Sequence, residues 1–501
     1  MLISRRGGLL AAACSAGLIV GLAAAPARAE TLADAIALAY DTNPTLQAQR
    51  SAQRALDESF VQARTGWRPT LGLSAQATYQ EVRTPGGVAT GFFGQRVFGP
   101  QEANAGSTTL TLTQPLWTGG RVGAAVSAAE ADILAGRENL RRVESTVLGN
   151  VIQSYVDVRR DQEALRIRQE NLQVLQRQLD ESRARFEVGE ITRTDVAQSE
   201  ARLAGAQAAF SSGQAQLAIS RANYAAAVGQ NPGELAPEPS LAAILPTDVD
   251  KAFDAAEDNN PQIRAAQYAA QASKARVAAA RAERMPNVSV QATLGYRGEL
   301  DPYVGSDYAR NVTGAAVVSV PLFSGGLTSS RIRAQVERNN TDRINIESAR
   351  RTVLQGVTQA WNQLIAARAN IGSTNEQVRA AKIAAEGTRQ EQQVGLRTTL
   401  DVLNAEQELR NAELSQVSAR RDEYVAAASV LAAMGRLEAR NLTPAVPLYD
   451  PKANFGKLRV TWGWVPWEEP IGVVDSVLTP KTKEKPREPA VPLRGPAPAT
   501  P

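Results

Sequence analysis

The chain has 501 residues, 55 of them lysine or arginine and 51 aspartate or glutamate, with one cysteine and no histidine. Setting aside Arg5, Arg6 and Arg28 of the N-terminal segment leaves 52 basic against 51 acidic residues, a balance that offers no footprint for a nucleic-acid partner. Past the N-terminus no run of 18 apolar residues is present to cross a bilayer as a helix, so a membrane-spanning form would be a closed barrel.

Residues 1–29 carry Arg5 and Arg6, an Ala-rich apolar run over 9–25, and Ala27-Arg28-Ala29 ahead of Glu30. This is the layout of a cleaved secretory signal, and Cys14 lies inside it. Cleavage after Ala29 leaves no cysteine, which excludes disulfides and thiolate metal sites; no cofactor is expected.

A first unit, 30–230, opens with an amphipathic segment over 32–40 that ends at Asn43-Pro44, followed by a helix over 45–66. Pro69 ends that helix, because the residue before a proline is disfavoured in helical geometry. The period then changes to two. Leu71, Leu73, Ala75, Ala77 and Tyr79 alternate with Thr70, Gly72, Ser74, Gln76 and Thr78, and a return strand sets Leu110, Leu112 and Leu116 against Thr109, Thr111 and Thr113. This strand pair occupies 69–117, with Phe92, Phe93 and Phe98 in the loop between its strands, expected to fold inward over the mouth of such a barrel rather than to serve receptor recognition.

From 121 to 187 there is no proline, and Val151, Val158, Leu165, Leu172, Leu179 and Phe186 recur at sevens, which predicts a long helix packed as a coiled coil. At 1.5 Å per residue it reaches roughly 100 Å. Val188-Gly189 stops it, and a second helix runs over 194–229.

A second unit, 231–440, repeats this order. Asn260-Pro261, Met285-Pro286 and Tyr296 stand 217 residues after Asn43-Pro44, Arg68-Pro69 and Tyr79, whereas Pro321-Leu322-Phe323-Ser324-Gly325-Gly326 stands 206 after Pro115-Leu116-Trp117-Thr118-Gly119-Gly120. The difference of 11 residues belongs to the loop between paired strands. The second strand pair is expected over 286–323, with Val312, Ala316, Val318, Val320 and Leu322 on one face, the long helix over 327–393 and its partner over 399–435. In each unit the shorter helix that precedes the strands completes the length of the second rod by stacking on its end.

Four strands with one apolar face, and Tyr79, Trp117, Tyr296 and Phe323 toward their ends, match barrel strands with interfacial aromatic girdles. Four strands do not close around a lumen, for which about eight are needed, so the chain is expected to oligomerise. The extension 441–501 loses periodicity and reads as disordered from about 479; Trp462, Trp464 and Trp467 are expected to pack it against the rods.

Signal, Asn-Pro, strand pair, Pro-Leu-x-x-Gly-Gly, heptad helix, Val-Gly turn and Thr-Asp-Val, duplicated after the signal, resemble the TolC family of outer-membrane efflux and secretion ducts over about 30–440. The resemblance implies an α+β membrane protein: a homotrimer whose 12-stranded β-barrel, four strands per chain, continues into a long antiparallel α-helical coiled-coil tunnel in the periplasm. It further implies an outer-membrane lipid environment, a periplasmic adaptor (membrane fusion) protein and an inner-membrane ABC or proton-driven transporter as partners, and no enzymatic activity. Residues 191–198 look most like the branch serving type I protein secretion; a multidrug or solvent efflux duct is the alternative, and a periplasmic coiled-coil scaffold a distant one.

By the same resemblance Asp401 falls where the family places an acidic ring at a periplasmic gate, where three copies would focus negative potential. Arg397 and Asp195, beside Thr194, fall where ion pairs and hydrogen bonds tie neighbouring rods. Asn404 stands where some members carry a second aspartate, and Gln392 where an aromatic residue joins the closing network. Both departures predict a gate that is less acidic and differently latched. Asp195 and Asp401 equally suit the start of a helix, where an acid is worth about 0.3–1 kcal/mol against the macrodipole. The turns Val188-Gly189-Glu190 and Val394-Gly395-Leu396 are the expected adaptor-docking surface, or plain turns.

Overall fold

The computed structural model describes residues 29–477 apart from 83–88, 91–93, 95, 98–100, 301–302, 444–446, 459 and 462. The apolar run over 9–25 with Cys14, the loop residues Phe92, Phe93 and Phe98, Trp462, and the tail from 478 thus lie outside the described residues.

The first repeat opens with α1 (Leu32–Thr42), started by a capping box in which the Thr31 hydroxyl accepts from Asp34 N–H and the Asp34 carboxylate accepts from Thr31 N–H. Next come α2 (Pro44–Arg64), a short 3-10 turn, and β1 (Thr70–Val82). A two-residue hairpin, β2 (Ala89–Thr90) with β3 (Arg96–Val97), precedes the return strand β4 (Gln101–Trp117). The rods α3 (Arg121–Glu187) and α4 (Arg193–Val228) complete the unit. The second repeat follows as α5 (Val249–Asn259), α6 (Pro261–Ala282), β5 (Asn287–Glu299), β6 (Ala309–Ser319), α7 (Leu327–Gln393) and α8 (Thr399–Ala433). Three short helices end the described chain: α9 (Ala439–Leu442), α10 (Pro451–Lys457) and α11 (Glu468–Val477).

The strands form one antiparallel sheet in the order β1-β4-β5-β6. Its registers place Leu73, Leu110, Leu294 and Val312 in one row across all four strands, while the adjacent row is Gly72, Thr111, Thr293 and Thr313. One face is therefore apolar and the other carries small and hydroxyl side chains, as a barrel wall between lipid and water requires. In the single protomer β1 and β6 are open edges, and Leu73 is 71 % and Val312 65 % exposed. Strand β6 ends at Ser319, short of the expected 323. Its Pro321 has no N–H to pair, and as the edge strand it has one neighbour; the equivalent Pro115 stays in β4, beyond the end of the β1 pairing at Thr113, opposite Ser289 of β5 and next to a register shift.

The rods α3 and α7 have 67 residues each, α4 and α8 have 36 and 35. The shorter rods are lengthened by α2 and α6, and the repeated Asn-Pro makes both joints. Asn43 Oδ1 accepts from Thr45 N–H at 3.0 Å to cap α2, while its Nδ2 donates to Ala227 O at 3.0 Å in the last turn of α4. Asn260 repeats the arrangement with Gln262 N–H at 2.8 Å and Ala433 O at 2.8 Å. One side chain thus satisfies an orphan donor of one helix and an orphan acceptor of the other. Backbones approach so closely at the second joint that a Cβ on Gly435, which has φ +70°, would lie 2.7 Å from Asn259 O.

Heptad residues Val151, Val158 and Leu179 and their counterparts Val357, Leu364 and Ala385 are buried, whereas Phe186 at the end of the series is 44 % exposed although its counterpart Gln392 is buried. The main core lies around the two joints, where Leu32, Ile36, Tyr155, Tyr224, Ile263, Leu431 and Met434 pack together. Toward the hairpin tips it breaks into small clusters, one of which joins Leu403 of α8 to Leu175, Leu179 and Leu203 of α3 and α4.

Candidate functional site

The two hairpin tips are built alike. Gly189 and Gly395 take φ of +81° and +80°, the left-handed geometry that ends α3 and α7. Three residues later a threonine opens the capping box that starts each second rod. Thr192 Oγ1 accepts from Asp195 N–H at 3.3 Å, and Asp195 Oδ2 accepts from Thr192 N–H at 2.9 Å; the Thr398 and Asp401 pair gives 3.3 and 3.0 Å. Both acids are helix caps in this protomer. The Thr398 N–H and hydroxyl, with Arg397 nearby, hold the Asp401 carboxyl below its ordinary range.

Arg397 Nε donates to Glu391 Oε2 at 2.8 Å across its own turn, and this hydrogen bond, with the charges of Glu391 and Asp401, raises its pKa. Gln392 is buried and donates to the Thr399 hydroxyl at 3.4 Å, also within its own hairpin. Asn404 is reached from the other hairpin, since Arg202 of α4 donates to its Oδ1 at 2.8 Å. Thr194 is exposed. At the tips, then, Arg202 and Asn404 join the hairpins by hydrogen bond, while Asp195, Arg397 and Gln392 bond within their own.

Val188, Val394 and Leu396 are exposed apolar tips, at 72, 70 and 75 %, over turns braced by ion pairs such as Arg185 with Glu190 at 3.0 Å. Tyr79 and Tyr296 lie toward the end of the sheet remote from the rods, and Trp117 and Phe323 at the end where rods begin. Phe323 is 90 % exposed.

The hairpins are locked by ion pairs that no pattern within one copy marks. Arg183 pairs with Glu200 at 2.8 Å, and its repeat partner Arg389 pairs with Glu406. Each pair spans 17 residues across a turn and the two are displaced by 206, so the repeat itself carried the signal. The copies differ in burial. Glu200 is half exposed, whereas Glu406 is 4 % exposed and also lies 3.6 Å from Arg410.

No helix among the described residues is long and apolar enough to cross a membrane, and no group of three or more potential metal ligands occurs among them. A small amphipathic antiparallel sheet with two open edges, carried on paired rods of 67 residues, defines the protomer of an outer-membrane channel with a helical periplasmic tunnel. The chain belongs to the outer membrane efflux protein family, whose pattern it matches twice, over residues 35–230 and 252–436. It is 33 % identical over 438 residues to the outer membrane efflux protein BepC of Brucella suis biovar 1 (strain 1330), covering 87 % of this chain and 92 % of that protein. It is 26 % identical over 327 residues to the alkaline protease secretion protein AprF of Pseudomonas aeruginosa, covering 64 % of this chain and 67 % of that one. The solved outer-membrane channel OprN superposes with a TM-score of 0.68 at 22 % identity, over 81 % of this chain and 89 % of that one, a likeness of fold. The TolC-family resemblance read from the motifs stands on these matches. Proteins of this family are channels rather than enzymes, work with adaptors and inner-membrane transporters, and are homotrimers as a rule.

Proposed function

We propose that this chain is the passive outer-membrane duct of a tripartite export system, and that it serves type I protein secretion. The carrying observation is the four-stranded sheet, apolar on one face and open at both edges, which runs directly into rods that extend roughly 100 Å beyond it. Three copies supply twelve strands and remove every edge. Residues 1–29 direct the chain out of the cytoplasm.

In this reading Asp401, Arg397, Asp195, Thr194, Gln392 and Asn404 form the periplasmic gate where the tips of three protomers converge. Arg397 and Asp195 become ties when a neighbouring protomer offers the second partner. The exposed Val188, Val394 and Leu396, with Gly189, Glu190 and Gly395, form the adaptor-docking surface. Tyr79, Trp117, Tyr296 and Phe323 anchor at the two membrane interfaces.

The secretion route is supported by the tip sequence 191–198 and by similarity to AprF. Drug or solvent efflux is a second reading, supported by the higher identity to BepC. Gene deletion separates them. Loss of proteins from the culture medium with unchanged drug susceptibility is the expected result; increased drug susceptibility with an unchanged set of secreted proteins would transfer the assignment to efflux.

A further inference from the structure

The extension after the second repeat does not stay with it. From Tyr449, whose N–H donates to the Tyr40 hydroxyl at 3.1 Å, the chain crosses to the first repeat and follows α2. Asn454 donates to Asp57 Oδ2 at 2.9 Å, and Phe455 lies against Phe60 with ring centroids 4.8 Å apart. It arrives where β4 passes into α3, a junction that turns at Gly119 and Gly120, with φ of +66° and +82°.

Two fully buried acids fasten it there. Glu468 sits between Arg68, whose Nε donates to Oε2 at 2.9 Å, and Arg64, whose Nε is in close charge contact with Oε1 at 2.5 Å but out of hydrogen-bond alignment. Asp475 Oδ1 accepts from the backbone N–H of Thr118 and of Gly120, both at 2.9 Å; Oδ2 accepts from the Thr118 hydroxyl at 3.0 Å and from Trp67 Nε1 at 3.4 Å. Helix α3 has a glycine at its N-cap; the Thr118 hydroxyl accepts from Val122 N–H at 3.3 Å in its first turn, and an acid 355 residues away supplies the anion that its N-terminal end favours. Trp467 Nε1 adds a hydrogen bond to Gln114 of β4 at 3.0 Å, and Ile471 closes a small core with Trp67 and Val122.

The second repeat has the same turn without this cover. Ser324, Gly325 and Gly326 replace Thr118, Gly119 and Gly120; Met285 and Arg284 replace Arg68 and Trp67. A Cβ on Gly325 or Gly326 would meet nothing within 4 Å, and the adjacent Leu322 is 92 % exposed. We propose that residues 450–477 are an intramolecular clasp that holds the strand-to-rod swivel of the first repeat rigid, a cover that the swivel of the second repeat does not receive from its own chain. The duplicated architecture is thereby made unequal at the membrane face, by a segment that is not itself duplicated.

Full-length trimers are compared with trimers truncated after Asp450 and with the Glu468→Gln and Asp475→Ala variants, using limited trypsin digestion after Arg121, the first residue of α3. Cleavage at Arg121 is expected to accelerate at least tenfold on truncation and several-fold in each single variant. A synthetic peptide of residues 451–477 added in trans is expected to restore protection to the truncated trimer. Unchanged cleavage at Arg121, or acceleration that the peptide does not reverse, overturns the clasp. If truncated chains do not assemble, the two single variants decide by the same cleavage rate. Neither result depends on which substrate the duct carries.

Discussion

The most direct test of how the rods are assembled is Asn43→Ala, with Asn260→Ala as its internal replica. Asn43 is 9 % exposed and does two separate jobs: its carbonyl oxygen caps α2 and its amide ties α2 to the last turn of α4. Loss of the cap costs about 1 kcal/mol. Loss of the amide donor removes one side-chain hydrogen bond, about 1 kcal/mol more, from a partly buried carbonyl. The sum of about 2 kcal/mol per protomer corresponds to roughly a thirtyfold change in an equilibrium constant. Asn43→Asp divides the total, because it retains the acceptor for Thr45 N–H but offers no donor to Ala227 O and sets a carboxylate against the negative end of α4. It should recover the cap and still lose the tie. The assay is unfolding of detergent-purified trimers, followed by helical circular dichroism together with heat-modifiable migration, in all single variants and the double alanine variant. The two joints share no partners, so their effects should add. If both alanine variants unfold like the parent, or if Asn43→Asp is indistinguishable from it, the weld does not carry the composite rods.

Three further outcomes are expected. At the tips, Arg397→Ala and Asp195→Ala should raise the conductance of purified channels in planar bilayers, and unchanged conductance would count against the latch. Because the folded-state pKa of Asp401 is lowered, its capping contribution is complete above the ordinary aspartate value of about 3.9 and is lost as pH falls through the lower folded value. Amide exchange at Val402 and Leu403, corrected for its intrinsic pH dependence, should therefore accelerate only below about pH 4, and Asp401→Asn should abolish that step. On the sheet, Leu73→Arg places a charge on the apolar row at a depth-dependent cost, which reaches about 2–4 kcal/mol at the bilayer midplane. It should deplete trimers from the outer membrane, whereas Thr111→Arg, on the opposite face, should assemble and alter ion selectivity instead.

Much of the architecture was legible because it is periodic. Alternation at two, recurrence at seven and the restart of the whole order after 206 or 217 residues are local or copied patterns, and each maps onto one face of a strand or rod. The candidate gate was legible only as positions. The identity of Asp195 and Asp401 as helix-start acids follows from Thr three residues before each, but the partner of Gln392 does not: its neighbour Thr399 is seven residues on, across a turn whose shape the pattern does not specify. The ion pairs Arg183 with Glu200 and Arg389 with Glu406 fall between, since the offset of 206 connects them but nothing in one copy alone singles them out.

The sequence by itself determined the duplicated rods, their equal length, the amphipathic strands and the breaks between them, since these follow from the spacing of apolar side chains and from the backbone limits of proline and glycine. Only the tertiary structure decided what the repeated asparagines reach, how the two tips differ in burial, and where the C-terminal segment goes. Those depend on groups brought together over 184, 202 and 400 residues of chain, and a hydrogen bond between such distant partners leaves no periodic trace in either local stretch. The extension that looked patternless carries Glu468 and Asp475, two acids buried completely in places that the first repeat folds for them.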